Sequence, residues 1–158
     1  MGVSAILSLE SHPEEEEWCR RLGMSFKELY VPDFAAPMIE QVDEAVHDLY
    51  RLTVVQKRSV LVHCYAGLGR TGTVAAAFTG ALLGIDADSA IEMVRLRRPG
   101  SLQTDDQVST VRSYLAKFKS GEVSQDISTN CTECGNRILL GREKCSRCNQ
   151  NRVRVRNT

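Results

Sequence analysis

The segment SVLVHCYAGLGRTGTVAAAFTGALLG, residues 59–84, constrains this chain more than any other. Ser59–His63 is a short unbroken apolar run, the pattern of a strand covered on both faces, and is expected at the centre of a parallel sheet. Residues 70–84 are dominated by Ala, Gly and Thr and read as a helix packed closely on that sheet. A strand that feeds a helix through a tight glycine-rich turn implies crossover connections and parallel strands.

The rest of the chain alternates in the same way. Val3–Leu9 is apolar and β-rich and reads as a buried strand. A helix is expected from Pro13, with Glu14–Glu17 at its positive first turn and Gly23 as its stop. The glutamates read as a solvated helix end, and Trp18 and Cys19 as packing residues. Met24–Val31 reads as a second strand, and residues 32–37, punctuated by Pro32 and Pro37, as a loop. Met38, Val42, Ala45, Leu49 and Leu52 recur at spacings of three and four, which predicts a helix from Pro37 to about Lys57 with His47 on its surface. Two more helices follow. One spans 86–100, with Asp86 or Asp88 as cap and Gly100 as stop. The other spans 104–119, opened by a Thr104/Gln107 capping box. The expected fold is α/β, a mainly parallel central sheet flanked by helices.

Charge and cysteine divide the chain. Net charge is zero, but residues 131–158 carry seven Lys/Arg against two Asp/Glu, leaving the first 130 residues net acidic. Four of the six cysteines, Cys131, Cys134, Cys145 and Cys148, form two C-x-x-C pairs in that basic tail. This usage suits metal binding in a reducing, cytoplasmic setting better than a disulfide framework. Residues 120–129 are polar and read as a linker. The expected organisation is therefore a domain over 1–119, a linker over 120–130 and a small metal-binding unit with a basic tail over 131–158. No run of about 18 apolar residues exists to span a membrane, and no secretory signal pattern opens the chain.

The loop after the strand begins with a cysteine. Backbone amides of Tyr65, Ala66, Gly67, Leu68 and Gly69 can converge on an anion, with a helix N-terminus behind them. The same field lowers the pKa of a neighbouring thiol. Cys64 is then a nucleophile aimed at a bound phosphorus. Arg70 suits two phosphoryl oxygens with its planar fork. Thr71 is placed to donate a hydrogen bond to the sulfur, and His63 to hold the loop. A buried inert thiol and a plain glycine turn would account for a lone cysteine, but not for Cys and Arg bracketing the loop. A Walker A loop is excluded because no Gly-Lys-Ser/Thr is present.

His63-Cys64-x5-Arg70-Thr71 resembles the H-C-x5-R-S/T signature of the cysteine-dependent protein tyrosine phosphatase superfamily, over roughly residues 2–118. The wording AGLGRTG is similar to the small dual-specificity-like branch, including archaeal members and relatives of the Cdc14 type. The resemblance implies a general acid upstream, and VPDFAAP supplies Asp33; Asp43 and Asp48 fall inside a predicted helix. It also implies a water-orienting glutamine, for which Gln103 is favoured because Gln107 has a role in the capping box. Arg97 and Arg98 are expected at a helix end, on the surface or against substrate. Relatives usually place one or two further strands ahead of the Val3–Leu9 strand. Phosphoinositide-specific relatives tend to carry lysines in the loop, where this chain has Tyr65 and Leu68.

Cys131, Cys134, Cys145 and Cys148 resemble a zinc ribbon, a closed four-thiolate structural site. No catalytic cofactor is implied. The implied activity is phosphoprotein hydrolysis at phosphotyrosine and phosphoserine/threonine. The alternatives are an RNA 5′-phosphatase and a non-catalytic phosphate-binding adaptor. The implied partners are a phosphorylated protein and, through the basic tail, an acidic partner or nucleic acid; no membrane is implied.

Overall fold

A computed structural model describes residues 2–140 and 143–149. The elements run β1 (Ala5–Ser8), α1 (Glu15–Arg21), β2 (Ser25–Glu28), α2 (Ile39–Leu49), β3 (Val60–His63), α3 (Gly69–Leu83), α4 (Ala87–Arg97), α5 (Asp105–Ser120), β4 (Ser128–Asn130) and β5 (Arg137–Leu139). β1, β2 and β3 form one parallel sheet in the order β2-β1-β3, and β4 and β5 form an antiparallel pair. This is the α/β architecture expected, with one change of place. The central strand is β1, all four of whose residues are buried. β3 lies at the edge among the described residues, and its Leu61 is exposed. A short apolar run reads alike for a central strand and for an edge strand covered on one face.

α2 continues beyond Leu49 as a wider π-helical stretch, Tyr50–Val55. Three consecutive β-branched residues, Thr53, Val54 and Val55, crowd this turn, and Thr53 Oγ1 donates back to the Leu49 carbonyl at 2.6 Å. α1 starts at Glu15 rather than Pro13. Its Cys19 is buried, but Trp18, expected to pack, is more than half exposed.

The main core joins Val42 and Val46 of α2, Ala76, Ala77 and Ala81 of α3, Ile91 of α4, and Val111, Tyr114 and Phe118 of α5. Leu139 of β5 and Ile127 belong to the same cluster. The stretch expected to be a linker is therefore packed. Ser124 is buried and meets the Tyr114 hydroxyl, and both donate to Asp43 Oδ1 of α2. Burial pushes the Tyr114 hydroxyl far above its ordinary pKa, so it stays a neutral donor. His47, expected on the surface, is partly buried and reaches Asp126 Oδ1 at 2.9 Å.

The four-cysteine unit seats on the C-terminal end of α3. Gly84 caps that helix with φ +64, and a Cβ there would lie 2.5 Å from Ile138 Cγ2. Only glycine permits both the left-handed turn and this approach. Ser146 Oγ also donates to the Leu83 carbonyl at 2.6 Å. The basic stretch 150–158 lies outside the described residues. Among the described residues no helix is long and apolar enough to cross a membrane.

Candidate active site

The parallel register ends all three sheet strands level, with Ser8 opposite both Glu28 and His63. The chain therefore leaves β1, β2 and β3 at one edge. Open parallel sheets place their sites at the carboxyl ends of strands. Here that edge gathers Glu10 after β1, Asp33 after β2 and Cys64 after β3.

Cys64 is buried among Leu7, Leu9, Leu49 and Val74. Thr71 Oγ1 donates to its sulfur at 3.2 Å. Burial pushes the thiol up. The Thr71 hydroxyl and amide, the Gly67 amide and the Arg70 charge outweigh it, leaving Cys64 below an ordinary thiol. α3 opens at Leu68 with no side-chain cap, which leaves its first amides to the loop. Tyr65 stands exposed on the loop. Arg98 lies across it, donating to the Ala66 carbonyl at 3.0 Å, while Arg97 is exposed at the end of α4.

Arg70 is 1% exposed. Its Nη1 donates to the Val31 carbonyl at 2.7 Å, and its Nη2 lies 2.7 Å from both Asp33 Oδ1 and Glu10 Oε2. The arginine thus ties the ends of β1 and β2 to the start of α3. Asp33 remains 60% exposed at its side chain. Phe34 beside it has φ +58, and its amide donates to Asp33 Oδ1 at 3.0 Å, a local bond that supports the left-handed turn. Asp43 and Asp48 are occupied elsewhere, Asp43 by Tyr114 and Ser124 and Asp48 by Arg51.

The two glutamines divide their work. Gln107 is fully buried; its Oε1 accepts from the Gln103 amide at 2.8 Å, and its Nε2 donates to the Ala35 carbonyl at 3.1 Å. It closes the capping box of α5 and also pins the Asp33 loop. Gln103 is exposed, and a Cβ on Gly69 would lie 2.9 Å from its Oε1. The absence of a side chain at Gly69 lets both glutamines approach the loop.

Two residues of this edge escape the sequence reading. Glu10 follows an apolar strand with no motif around it. Glu15, read as part of a solvated run, is 15% exposed at its side chain and lies 2.8 Å from His63 Nε2. The available signal was topological: residues just past strands that end together converge.

The sulfurs of Cys131, Cys134, Cys145 and Cys148 lie within 4.8 Å of one another, and none is in a disulfide. Four sulfurs around zinc at about 2.3 Å stand roughly 3.8 Å apart; Cys134 and Cys145 Sγ are 3.6 Å apart. The amides of Cys134 and Cys145 hold the Cys131 thiol down to about 6. The donor set fits a thiophilic ion such as zinc.

A cysteine at the end of β3, an arginine six residues on and an aspartate from the loop after β2, brought together at one sheet edge, are the arrangement of the cysteine-dependent phosphatase class. The family model described as "Swiss Army Knife protein, DSP-PTPase phosphatase domain" (PTP-SAK) matches residues 1–114, and the chain belongs to this dual-specificity-type protein tyrosine phosphatase family. Protein tyrosine phosphatase domain-containing protein 1 of Danio rerio is 45% identical over 60 residues, covering 38% of this chain and 8% of that protein. Tyrosine-protein phosphatase cdcA of Emericella nidulans is 29% identical over 99 residues, covering 63% and 17%. The chain thus spans less than a fifth of these two relatives. An uncharacterized protein of Methanocaldococcus jannaschii is 38% identical over 109 residues and 66% of each chain. The structure of Tk-PTP in the active form superimposes with TM-score 0.69 at 29% identity, covering 73% of this chain and 80% of that one.

Proposed function

We propose that this chain hydrolyses phosphate monoesters on proteins, at phosphotyrosine and also at phosphoserine or phosphothreonine, through a cysteinyl-phosphate. The observation that carries this reading is the convergence of Cys64, Thr71, Arg70 and Asp33 at one sheet edge.

In the proposed first step the Cys64 thiolate forms an S–P bond as the ester P–O bond breaks, and Asp33 gives its proton to the leaving oxygen. The loop amides of residues 65–69 and the Arg70 guanidinium take the charge of the phosphoryl oxygens. In the second step Asp33, now a carboxylate, accepts a proton from water as that water attacks phosphorus. Gln103 orients the water. The S–P bond breaks, and the Thr71 hydroxyl stabilises the departing thiolate. Arg70 Nη2 is in contact with Asp33 Oδ1, so in this mechanism the phosphoryl group shares the arginine with Asp33. His63 and Glu15 support the loop from below.

In the same reading Cys131, Cys134, Cys145 and Cys148 hold one structural Zn²⁺, which leaves no open position for catalysis. The catalytic residues of this reading all lie within 1–119, and the segment 120–130, whose Ser124 and Ile127 pack on that body, joins it to the metal-binding unit. The basic tail favours one rival substrate, the 5′-phosphate of RNA. Turnover of phosphopeptides, RNA 5′-ends and phosphoinositides by the same preparation tests the assignment. Phosphopeptide turnover that leads by at least about tenfold in kcat/KM supports it; RNA or lipid in the lead overturns it; no turnover of any supports an adaptor.

A further inference from the structure

Where the four-cysteine unit meets α3 and α5, the surface opens into a groove of about 430 Å³. Ile85, Leu115 and Ala116 contribute apolar surface to it. Four cations also line it, Arg112, Lys119, Arg137 and Arg147, against one acid, Asp86. Asp86 is occupied as the cap of α4, accepting from the Ser89 amide and hydroxyl. Arg112 is paired with Asp88. Among the described residues the side chains of Lys119, Arg137 and Arg147 have no ion pair or hydrogen bond, and Arg137 Nε is buried without an acceptor. A buried donor without an acceptor costs free energy that an incoming carboxylate recovers. The groove is thus positive in a chain of zero net charge.

We propose that this groove docks an acidic segment of the protein substrate, a run of Asp or Glu carrying an aliphatic anchor. The proposal rests on the phosphoprotein reading above. Carboxylates answer the three unpaired cations, and the anchor answers Ile85 and Leu115. A single-stranded nucleic acid would offer the same charge, but such sites also stack bases on aromatic faces. The one aromatic residue here, Phe118, is 3% exposed.

The position of the groove sets a length rule. α3 starts at the loop and its last turn borders the groove, so its fifteen residues put the two sites about 22 Å apart. An extended peptide spans that distance in about seven residues, at roughly 3.3 Å each. Substrates of this kind carry the acidic segment at least that far from the phosphorylated residue.

Two measurements on the full-length, zinc-loaded chain test this. The first is binding of a fluorescein-labelled, unphosphorylated peptide containing Leu-Glu-Glu-Leu-Glu-Asp, by fluorescence anisotropy. Lys119→Glu/Arg147→Glu, two exposed positions outside the catalytic loop, is expected to weaken binding about tenfold, with zinc content and melting temperature unchanged. Because no turnover is involved, this arm stands apart from the fate of the phosphatase reading. The second compares two phosphopeptides, with and without that segment placed ten residues from the phosphotyrosine. The segment is expected to lower KM about tenfold at constant kcat. The double variant should abolish the difference while leaving hydrolysis of a small aryl phosphate untouched. Equal binding by wild type and double variant overturns the proposal. So does tighter binding of a single-stranded RNA that displaces the peptide, which would assign the groove to nucleic acid.

Discussion

Arg70 Nη2 lies 2.7 Å from Asp33 Oδ1, on a guanidinium that is otherwise sealed beneath the ends of β1 and β2. The contact joins the residue read as phosphate binder to the residue read as proton donor. The Asp33 side chain keeps 60% of its exposure, so this bond is the most accessible of those Arg70 makes. In the proposed mechanism a phosphoryl group in the loop would meet an arginine already positioned, with the aspartate beside it.

Asp33→Asn should lower kcat by about 10²–10⁴-fold on alkyl phosphates and much less on activated aryl phosphates. Only poor leaving groups need the proton in the transition state. Steady-state rates across a leaving-group series check this. Equal slowing along the series would remove Asp33 from the acid role.

Glu10 shares the same arginine nitrogen at 2.7 Å but is far less exposed than Asp33. In the proposed mechanism it would be a positioning residue, acting through Arg70. Glu10→Gln removes the charge but keeps a polar group of the same shape beside Arg70 Nη2, and should lose less than Glu10→Ala, which removes the charge and opens a gap beside the buried guanidinium. The alanine variant should raise KM for an aryl phosphate about tenfold and weaken inhibition by inorganic phosphate in step. Unchanged phosphate inhibition would show that Arg70 holds its place without Glu10.

Cys64 sits below the ordinary thiol pKa against the opposing effect of burial, chiefly through Thr71. The need for a protonated Asp33 gives kcat/KM a falling limb, and the reactive thiolate, which forms as pH rises, gives it a rising limb that should lie at lower pH than an ordinary thiol would place it. Thr71→Val removes the hydroxyl but keeps the amide, and should move that limb to higher pH. Cys64→Ser should lose turnover by about 10⁴-fold or more while keeping the fold. A limb that stays in place in Thr71→Val would mean the loop amides suffice.

The parts of this site that are legible in the sequence are those whose chemistry is local. His63 to Thr71 carries the cysteine, the glycine loop and the arginine within ten residues, so the spacing alone exposes them. Asp33 is reachable through family resemblance and its proline-bounded loop. Glu10 and Glu15 are not, because their roles arise from the level ending of parallel strands, a property of register. The Glu14–Glu17 run reads as solvated from composition, yet one of its members turns inward to His63. The expected linker differs for a related reason. Residues 120–130 are polar on average, but Ser124 and Ile127 are buried, Ser124 against Asp43 of α2 and Ile127 in the core that α2 and α3 share.

The His47–Asp126 pair makes that packing pH-dependent. Burial opposes protonation of His47, but the bond to Asp126 and the Asp43 carbonyl raise its pKa above the ordinary value. Asp126 is held below its own by the bond to His47. A raised histidine stabilises fully below its unfolded pKa of about 6.5, and that contribution fades as pH rises through the folded value. A lowered aspartate stabilises above about 3.9 and loses its effect as pH falls. The clamp is strongest between roughly pH 4 and 6.5, and worth at most about 1 kcal/mol because Asp126 is largely solvated. The melting-temperature difference between wild type and His47→Gln should be largest near pH 5–6 and shrink by pH 8.5. A difference that is flat with pH would remove the ion pair as its cause.

The polar composition of 120–130 suggests a tail that could be cut away, and the packing argues the reverse. Leu139 of β5 and Ile127 complete the core formed by α2, α3 and α5, and Ile138 closes on Gly84. Burying Leu139 and Ile127 contributes about 3–6 kcal/mol, a large share of the roughly 5–15 kcal/mol that keeps a domain folded. A chain ending at Ser120 should therefore melt far lower than the full chain, or fail to fold. Leu139→Ala in the intact chain should cost about 2–5 kcal/mol. If the four thiolates hold zinc, its removal by a strong chelator should lower the melting temperature of the phosphatase body as well. The kcat at low temperature should stay near its full value, since the loop lies at the other end of α3. Calorimetry and single-temperature kinetics on the same samples separate the two effects. A Ser120-terminated chain with an unchanged melting temperature would restore the separable tail. A folded but inactive one would show that the cysteine unit acts on the loop through α3 as well as on the core.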